Sequence, residues 1–241
     1  MTGGAKLAVI PARGESKRLP RKNIMDFHGR PMIAYTIEAA RRSECFDRVV
    51  VSTEDAEIAK VARGFGAEID ERPARLATDE ARVTDLCLEL LDRERRRGRK
   101  WNVMACLYAT APMRTAADIR ATVALVDPGR CDFAMAVTRY PLPPHQALKL
   151  DADGTLSPMW PELIALRASE VPQLVVDNGS TYVVDVAAFE RHQTFYGPTL
   201  RGYEMPRERS IDIDTREDYE HVLRSASGRG ASAATAGSVS S

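Results

Sequence analysis

The sequence predicts an α/β chain built on a doubly wound, mostly parallel, Rossmann-like sheet, and three observations predict it. Short apolar runs alternate with helical periodicities from the start. Several of those runs, such as NVMACLY at 102–108 and FAMAVT at 133–138, are nearly unbroken in apolar residues, as strands buried on both faces are. Between the first two runs, Pro31 opens a stretch with apolar residues every three to four positions, which makes a βαβ unit.

In chain order, KLAVI (6–10) is the first strand, PMIAYTIEAARR (31–42) the first helix and RVVVST (48–53) the second strand. Asp55 caps a helix over AEIAKVARGFG that ends at Gly64 or Gly66, before a short strand at 67–69. Helix 82–97, strand 102–108, helix 116–126 and strand 133–138 continue the alternation. From Pro141 to about Val176 the rhythm breaks into a proline-rich stretch. An Asp153-Gly154 hairpin signal there separates ALKL from TLSPMW, so the segment reads as an irregular, β-containing insertion crossing an active site or a subunit boundary. STYVVDV (180–186) restores a strand, and TREDYEHVLRSA (215–226) is a final helix capped by Asp214 or Thr215. Residues 1–226 thus form one domain, and the Gly/Ala/Ser-rich 227–241 is expected to be a disordered tail.

Composition narrows the function. The 34 basic and 34 acidic residues among 241 cancel, which excludes a surface that grips nucleic acid or anionic membrane as a whole. Any electrostatic function is therefore local. Cys45, Cys87, Cys106 and Cys131 are widely spaced with no C-x-x-C, so they read as reduced core thiols of a cytoplasmic protein. No apolar run has the ~18 residues of a membrane-spanning helix.

Positive charge is concentrated in LAVIPARGESKRLPRKN (7–23), where Arg13, Lys17, Arg18, Arg21 and Lys22 follow the first strand. Such a loop is where a doubly wound sheet meets an anion, and polyphosphate is the natural candidate. The stretch is neither G-x-G-x-x-G nor a Walker loop, so side chains must do the holding: the planar fork of Arg13, the mobile charges of Lys17 and Lys22, and the neutral donors of Ser16 and Asn23. Solvated surface charge is the competing reading, and Pro11 and Pro20, which restrict the loop, weigh against it. Without interleaved aromatics the loop does not suit nucleic acid. A second feature is SIDIDTRED, where Asp212 and Asp214 stand two apart at the end of a short strand and leave by the same face. Two hard oxygen ligands beside phosphate suit Mg²⁺; alternatively, Asp214 is only a helix cap.

IPARGESKRLPRKNI, HGRPMIAYTIEAA, VVVSTED, ERPARLATD, CLYATAPMR and SIDIDTREDYE, in that order, resemble the acylneuraminate cytidylyltransferases, which make CMP-activated nine-carbon acidic sugars from CTP. The resemblance implies a nucleotide-diphospho-sugar transferase-like fold and a homodimer in which the 141–176 insertion reaches the partner's site. It implies that Arg13, Ser16, Lys22 and Asn23 bind the CTP triphosphate with Lys17 and Arg18 nearby, that Arg72 joins them or holds the cytosine region, and that Ala81 lies near the base. It gives Asp212 and Asp214 to Mg²⁺. Arg13 and Lys22 then stabilise the α-phosphoryl oxygens and the departing pyrophosphate, and Asp214 or a metal-bound hydroxide takes the proton of the attacking hydroxyl. For the acceptor, the sheet edge offers Tyr108, Thr110 and Pro112, the insertion offers His145, Gln146, Lys149 and Arg167, and the next strand offers Asp177, Asn178 and Tyr182. Plain solvent exposure is the competing reading of Lys149 and Arg167. YATAP, ALKL and Asp177 resemble the pseudaminic acid branch, whereas Asn178-Gly179 is more similar to the sialate pattern. The alternatives are the same chemistry on N-acetylneuraminate, legionaminate, another 3-deoxy keto-acid sugar or a phosphonate, and a non-catalytic nucleotide-binding protein.

Overall fold

The computed structural model describes residues 4–167 and 169–224. Its strands are β1 (Lys6–Pro11), β2 (Asp26–Phe27), β3 (Arg30–Pro31), β4 (Arg48–Thr53), β5 (Glu68–Glu71), β6 (Val103–Leu107), β7 (Phe133–Arg139), β8 (Leu148–Leu150), β9 (Leu156–Pro158), β10 (Val175–Asp185) and β11 (Leu200–Glu204). The helices are α1 (Met32–Arg42), α2 (Ala56–Gly64), α3 (Val83–Arg96), α4 (Ala116–Val123), α5 (Pro161–Ile164), α6 (Val186–His192) and a last helix, α7, over 216–224.

Seven strands make one sheet in the order β11-β7-β10-β6-β1-β4-β5. Its β1/β4, β1/β6, β4/β5 and β7/β11 pairs are parallel, and β10 runs antiparallel between β6 and β7. The chain leaves β1 toward β4 and later returns on β1's other side as β6, so the strand order reverses there and a crevice opens at the carboxyl ends of these two strands. The strands alternate sides to fill two layers. Ala8, Ile10, Val51, Ala105 and Leu107 pack with Ile33, Ile37, Ile58 and Ile119 of α1, α2 and α4. On the opposite face Leu7, Val9, Val50, Met104 and Cys106 pack with Leu90 and Leu91 of α3 and Phe189 of α6. A third, smaller cluster buries Leu19 of the basic loop together with Phe27, Met32, Ile213 and Val222. It is this cluster that brings segments some 190 positions apart in sequence to one place.

Several expectations are corrected. β10 begins at Val175, not at 180, because Asn178-Gly179 is not a turn but an irregularity within the strand: its register with β7 shifts between Asp177 and Tyr182, and Gly179 takes φ 67°. α4 ends at Val123 rather than 126, with a turn over 124–126. Residues 211–214 belong to no strand; Ile213 makes a single backbone bond to the Thr110 carbonyl at 2.9 Å. The cap of α7 is Thr215, whose hydroxyl accepts from the Asp218 N–H at 3.2 Å while the Asp218 carboxylate accepts from the Thr215 N–H at 2.8 Å. That reciprocal box frees Asp214 from the capping role. Cys87, Cys106 and Cys131 are buried thiols and Cys45 is half-buried. Helix α6, strand β11 and the two-residue strands β2 and β3 were not expected from sequence.

The proline-rich segment forms the β8–β9 hairpin and the short α5. It leaves Leu142, Leu148, Leu150, Leu156, Met159 and Trp160 exposed. Among the described residues no helix is long and apolar enough to cross a membrane. The tail expected to be disordered, 227–241, lies outside the described residues.

Candidate active site

The loop after β1 is held by acids from the loop after β4. The Gly14 N–H donates to Glu54 Oε1 at 2.6 Å, and a β-carbon at Gly14 would stand 2.6 Å from Asp55 Oδ2, so any side chain there would displace Asp55. Arg21, in the left-handed region at φ 58°, lays its guanidinium on Asp55 and Glu57. Asn23 is buried and donates to the Arg13 carbonyl at 2.9 Å. With Leu19 buried beneath, the backbone is fixed and the remaining cations project over the crevice.

Each of those cations meets an acid. Arg13 Nη1 and Lys17 Nζ lie 2.6 and 2.5 Å from the two oxygens of Asp79. Lys22 Nζ and Arg18 Nη2 lie 2.7 and 2.5 Å from the two oxygens of Asp214. Hydrogen bonds from Lys17 and then Arg13 hold Asp79 below the usual carboxylate range. Burial works against the charge on Asp214, and Lys22 and Arg18 more than offset it, so its carboxyl also sits low. The basic loop is therefore flanked by Asp79 on one side and Asp214 on the other.

Between them opens a cavity of about 250 Å³ lined by Arg13, Lys22, Asn23, Arg72, Ala81, Tyr108 and Thr110. An adjoining one, lined by Lys17, Arg21 and Asp79, shares Arg13. Arg72 is buried, donates to the Ser52 carbonyl at 2.9 Å, and its Nε has no hydrogen-bond partner. Asp212 enters the cleft beside Thr110, whose hydroxyl bonds it. Its Oδ1 is buried without a partner, and burial raises its pKa. Gly179 backs it so closely that a β-carbon there would lie 3.1 Å from Asp212 Oδ2. A carboxylate left in that state asks for a cation.

On the other side of Asp212 lies an aromatic wall. The Tyr108 ring stands 5.6 Å from that of Tyr182, which stacks on Phe195 at 4.8 Å. Asp177 accepts from the Gly179 N–H at 2.9 Å, from the Tyr182 hydroxyl at 2.8 Å and from the Tyr196 hydroxyl. Burial first and Asp177 second push the Tyr196 phenol up to about 12. Beneath, the buried Arg114 guanidinium donates to the Ser180 carbonyl, to Thr36 Oγ1 at 2.8 Å and to the Tyr108 carbonyl at 3.2 Å, tying α1, β10 and the segment after β6 together.

The cavity thus gathers Arg13, Lys22, Asn23, Arg72, Ala81, Tyr108 and Thr110, with Lys17, Asp212 and Asp214 at its borders. Five other expected residues are placed differently. Ser16 is half-exposed and outside the lining. Gln146, Lys149 and Arg167 are exposed on the 141–174 excursion, which no core cluster anchors over the cleft. Asn178 lines the site only indirectly: it is buried, and its amide donates to Met205 Sδ at 3.3 Å and Ser210 Oγ at 3.1 Å while accepting from the Ser180 N–H at 3.1 Å. Its side chain is spent on the fold. Sequence reasoning missed Asp79 and Tyr196. Asp79 carried a signal, an acid two residues before the expected base contact Ala81; Tyr196 carried none.

Residues 7–127 match the model of the cytidylyltransferase family. The chain is 32% identical to a pseudaminic acid cytidylyltransferase of Campylobacter jejuni over 89% of its own length and 93% of that protein. It is 35% identical to a CMP-N,N'-diacetyllegionaminic acid synthase of Legionella pneumophila, over 88% of this chain and 92% of that one. Among solved structures, a CMP:2-keto-3-deoxy-manno-octonic acid synthetase complexed with CTP superposes with a TM-score of 0.67 at 18% identity, covering 93% of this chain and 99% of the other, which is a likeness of fold.

Proposed function

This chain belongs to the cytidylyltransferase family, and from that premise we propose that it activates a nine-carbon acidic sugar, pseudaminic acid in the first instance, with CTP to give the CMP-sugar and pyrophosphate. One observation carries the reading: at the strand-order reversal four cations of the loop after β1 are held beside a cavity by two acids, Arg13 and Lys17 by Asp79 and Arg18 and Lys22 by Asp214. The similarity to a pseudaminic acid enzyme supports the acceptor.

In this reading the triphosphate replaces the two acids as partner of the cations. Arg13 offers its fork to the α-phosphoryl oxygens, Lys22 and Arg18 turn from Asp214 toward the phosphates, and Lys17 leaves Asp79 for the departing pyrophosphate. Asn23 fixes the loop through the Arg13 carbonyl, and the Arg72–Ala81 side receives the cytidine. The acceptor's anomeric hydroxyl attacks the α-phosphorus in line; its O–P bond forms as the bond to the β-phosphate oxygen breaks. Lys22 and Arg18 each hold a different oxygen of Asp214, so their departure frees one oxygen to take the hydroxyl proton and leaves the other for a cation.

The acid pair also fits Mg²⁺. Asp212 brings a buried, unpartnered oxygen and Asp214 a second carboxylate, the few hard donors this ion takes beside phosphate oxygens. When bound, it supplies neutralisation of phosphate charge and a lowered pKa for a hydroxyl in contact with it. Residues 1–226 act as one catalytic domain working in the cytoplasm, where its four free cysteines stay reduced. Its exposed apolar 141–176 arm pairs two copies, bringing Gln146, Lys149 and Arg167 to the acceptor of the neighbouring site. Incubating the protein with CTP, Mg²⁺ and separate acidic sugars tests the reading. CMP-pseudaminate detected by mass supports it, and CTP left intact with every sugar removes it.

A further inference from the structure

The carboxyl edge of the sheet is divided in charge. The cations of the loop after β1 lie beside the nucleotide half, whereas the half over β6, β10 and β7 presents Asp177, the one arginine ending β7, Arg139, being paired with Glu204. That carboxylate is aimed by the irregularity in β10: the register shift after Asp177 and the left-handed Gly179 turn the backbone N–H of Gly179 onto Oδ1. Two phenols clamp Oδ2, from Tyr182 within the strand and from Tyr196 beyond α6. A carboxylate has about four acceptor positions, and three here are filled by neutral donors. Among the described residues no lysine or arginine forms an ion pair with Asp177, so its charge is uncompensated.

Asp177 also borders the reaction site. Gly179, which donates to it, is the residue packed against Asp212. Tyr182, which clamps it, rests on Tyr108 of the cavity lining. A held, half-buried carboxylate with one open acceptor position, on the half of the edge away from the nucleotide, selects for a hydrogen-bond donor on the second substrate. An amide N–H can only donate, so when binding buries it the protein must supply an acceptor.

We propose that Asp177 is the specificity-determining residue of the acceptor subsite, taking a hydrogen bond from the N–H of an acylamino group on the acidic sugar and turning away acceptors that place a second anion there. The proposal rests on the reading above that the acceptor is an acidic sugar; the N-acyl groups in the names of the relatives' products agree with it. Tyr182 and Tyr196 are positioning residues that hold the carboxylate.

The test compares the wild type with the isosteric Asp177→Asn and with Tyr196→Phe, on an acylamino nonulosonic acid and on an analogue with hydroxyls in place of the acylamino groups. For Asp177→Asn, the KM for the acylamino sugar is expected to rise about 10- to 100-fold, the loss of a hydrogen bond to a charged group, with the KM for CTP unchanged and the preference over the hydroxyl analogue reduced accordingly. Tyr196→Phe is expected to raise the same KM about 2- to 10-fold. A wild type active on the acylamino sugar, with an Asp177→Asn variant of unchanged preference, overturns this proposal alone. A wild type that converts neither sugar overturns the proposed function and this proposal with it.

Discussion

Lys22→Met separates the electrostatic role of the basic loop from its structural one. The substitution keeps the stem of the side chain, which is only 20% exposed, and deletes one charge. In the ligand-free protein the loss is the ion pair with Asp214 at 2.7 Å, a carboxylate that is itself 33% exposed and keeps Arg18 at 2.5 Å. A partly exposed pair of this kind is worth roughly 0.5–1 kcal/mol, which in a domain of this size lowers Tm by about 1–4 °C. If Lys22 instead meets charge developing on the phosphates, its loss costs about 2.7–4 kcal/mol of barrier, a fall in kcat of about 10²- to 10³-fold. The two effects differ enough to be told apart in one preparation. Pyrophosphate release with CTP and acceptor gives the rate, and a thermal melt gives the stability. A variant within about threefold of wild-type turnover, or one whose activity falls only because it melts far earlier, would refute the assignment.

Three further outcomes follow from the same contacts. Gly179→Ala should lower turnover, because φ 67° strains alanine and its β-carbon would press on Asp212 Oδ2 at 3.1 Å; unchanged kinetics would show that Asp212 needs no such close backing. Asp212→Asn should shift the Mg²⁺ titration of activity to higher concentration, and an unmoved titration would take Asp212 out of the cation site. At the far end of the sheet burial opposes the charge of Glu94, yet Arg99 and Arg48 draw its pKa down from 4.5 to about 2. A lowered folded-state pKa stabilises above the unfolded value, so this contribution, roughly 3 kcal/mol, is whole above pH 4.5 and lost as pH falls toward 2. Urea unfolding of Glu94→Gln should therefore show a flatter pH dependence than wild type across that window; parallel curves would deny the group its role.

The half of the site over β1 was legible because its determinants are local. Charge directly follows a buried strand, and the D-x-D spacing of 212–214 places two carboxylates together even without the strand expected to carry them. What joins the two is not local. Leu19 and Ile213 share one buried cluster, and nothing in either segment alone announces that pairing. β10 was begun too late because VVDNG sets two polar residues and a glycine ahead of the apolar YVV, and that left-handed glycine serves an irregularity within the strand. β11 was missed because LRGYE has a glycine, charges and a largely exposed surface, as an edge strand does. The T-x-x-D box at 215–218 was available in the sequence to decide the cap of α7. Gln146, Lys149 and Arg167 fall away from the cleft because an excursion without a core of its own is placed only by what it packs against.

A crystal structure with CTP bound tests the central claim most directly. The account predicts the triphosphate lying between Arg13 and Lys22, with Lys22 and Arg18 drawn off Asp214 and both aspartates turned toward the phosphates. Nucleotide found elsewhere, with the Lys22–Asp214 and Arg13–Asp79 pairs still closed, would contradict it.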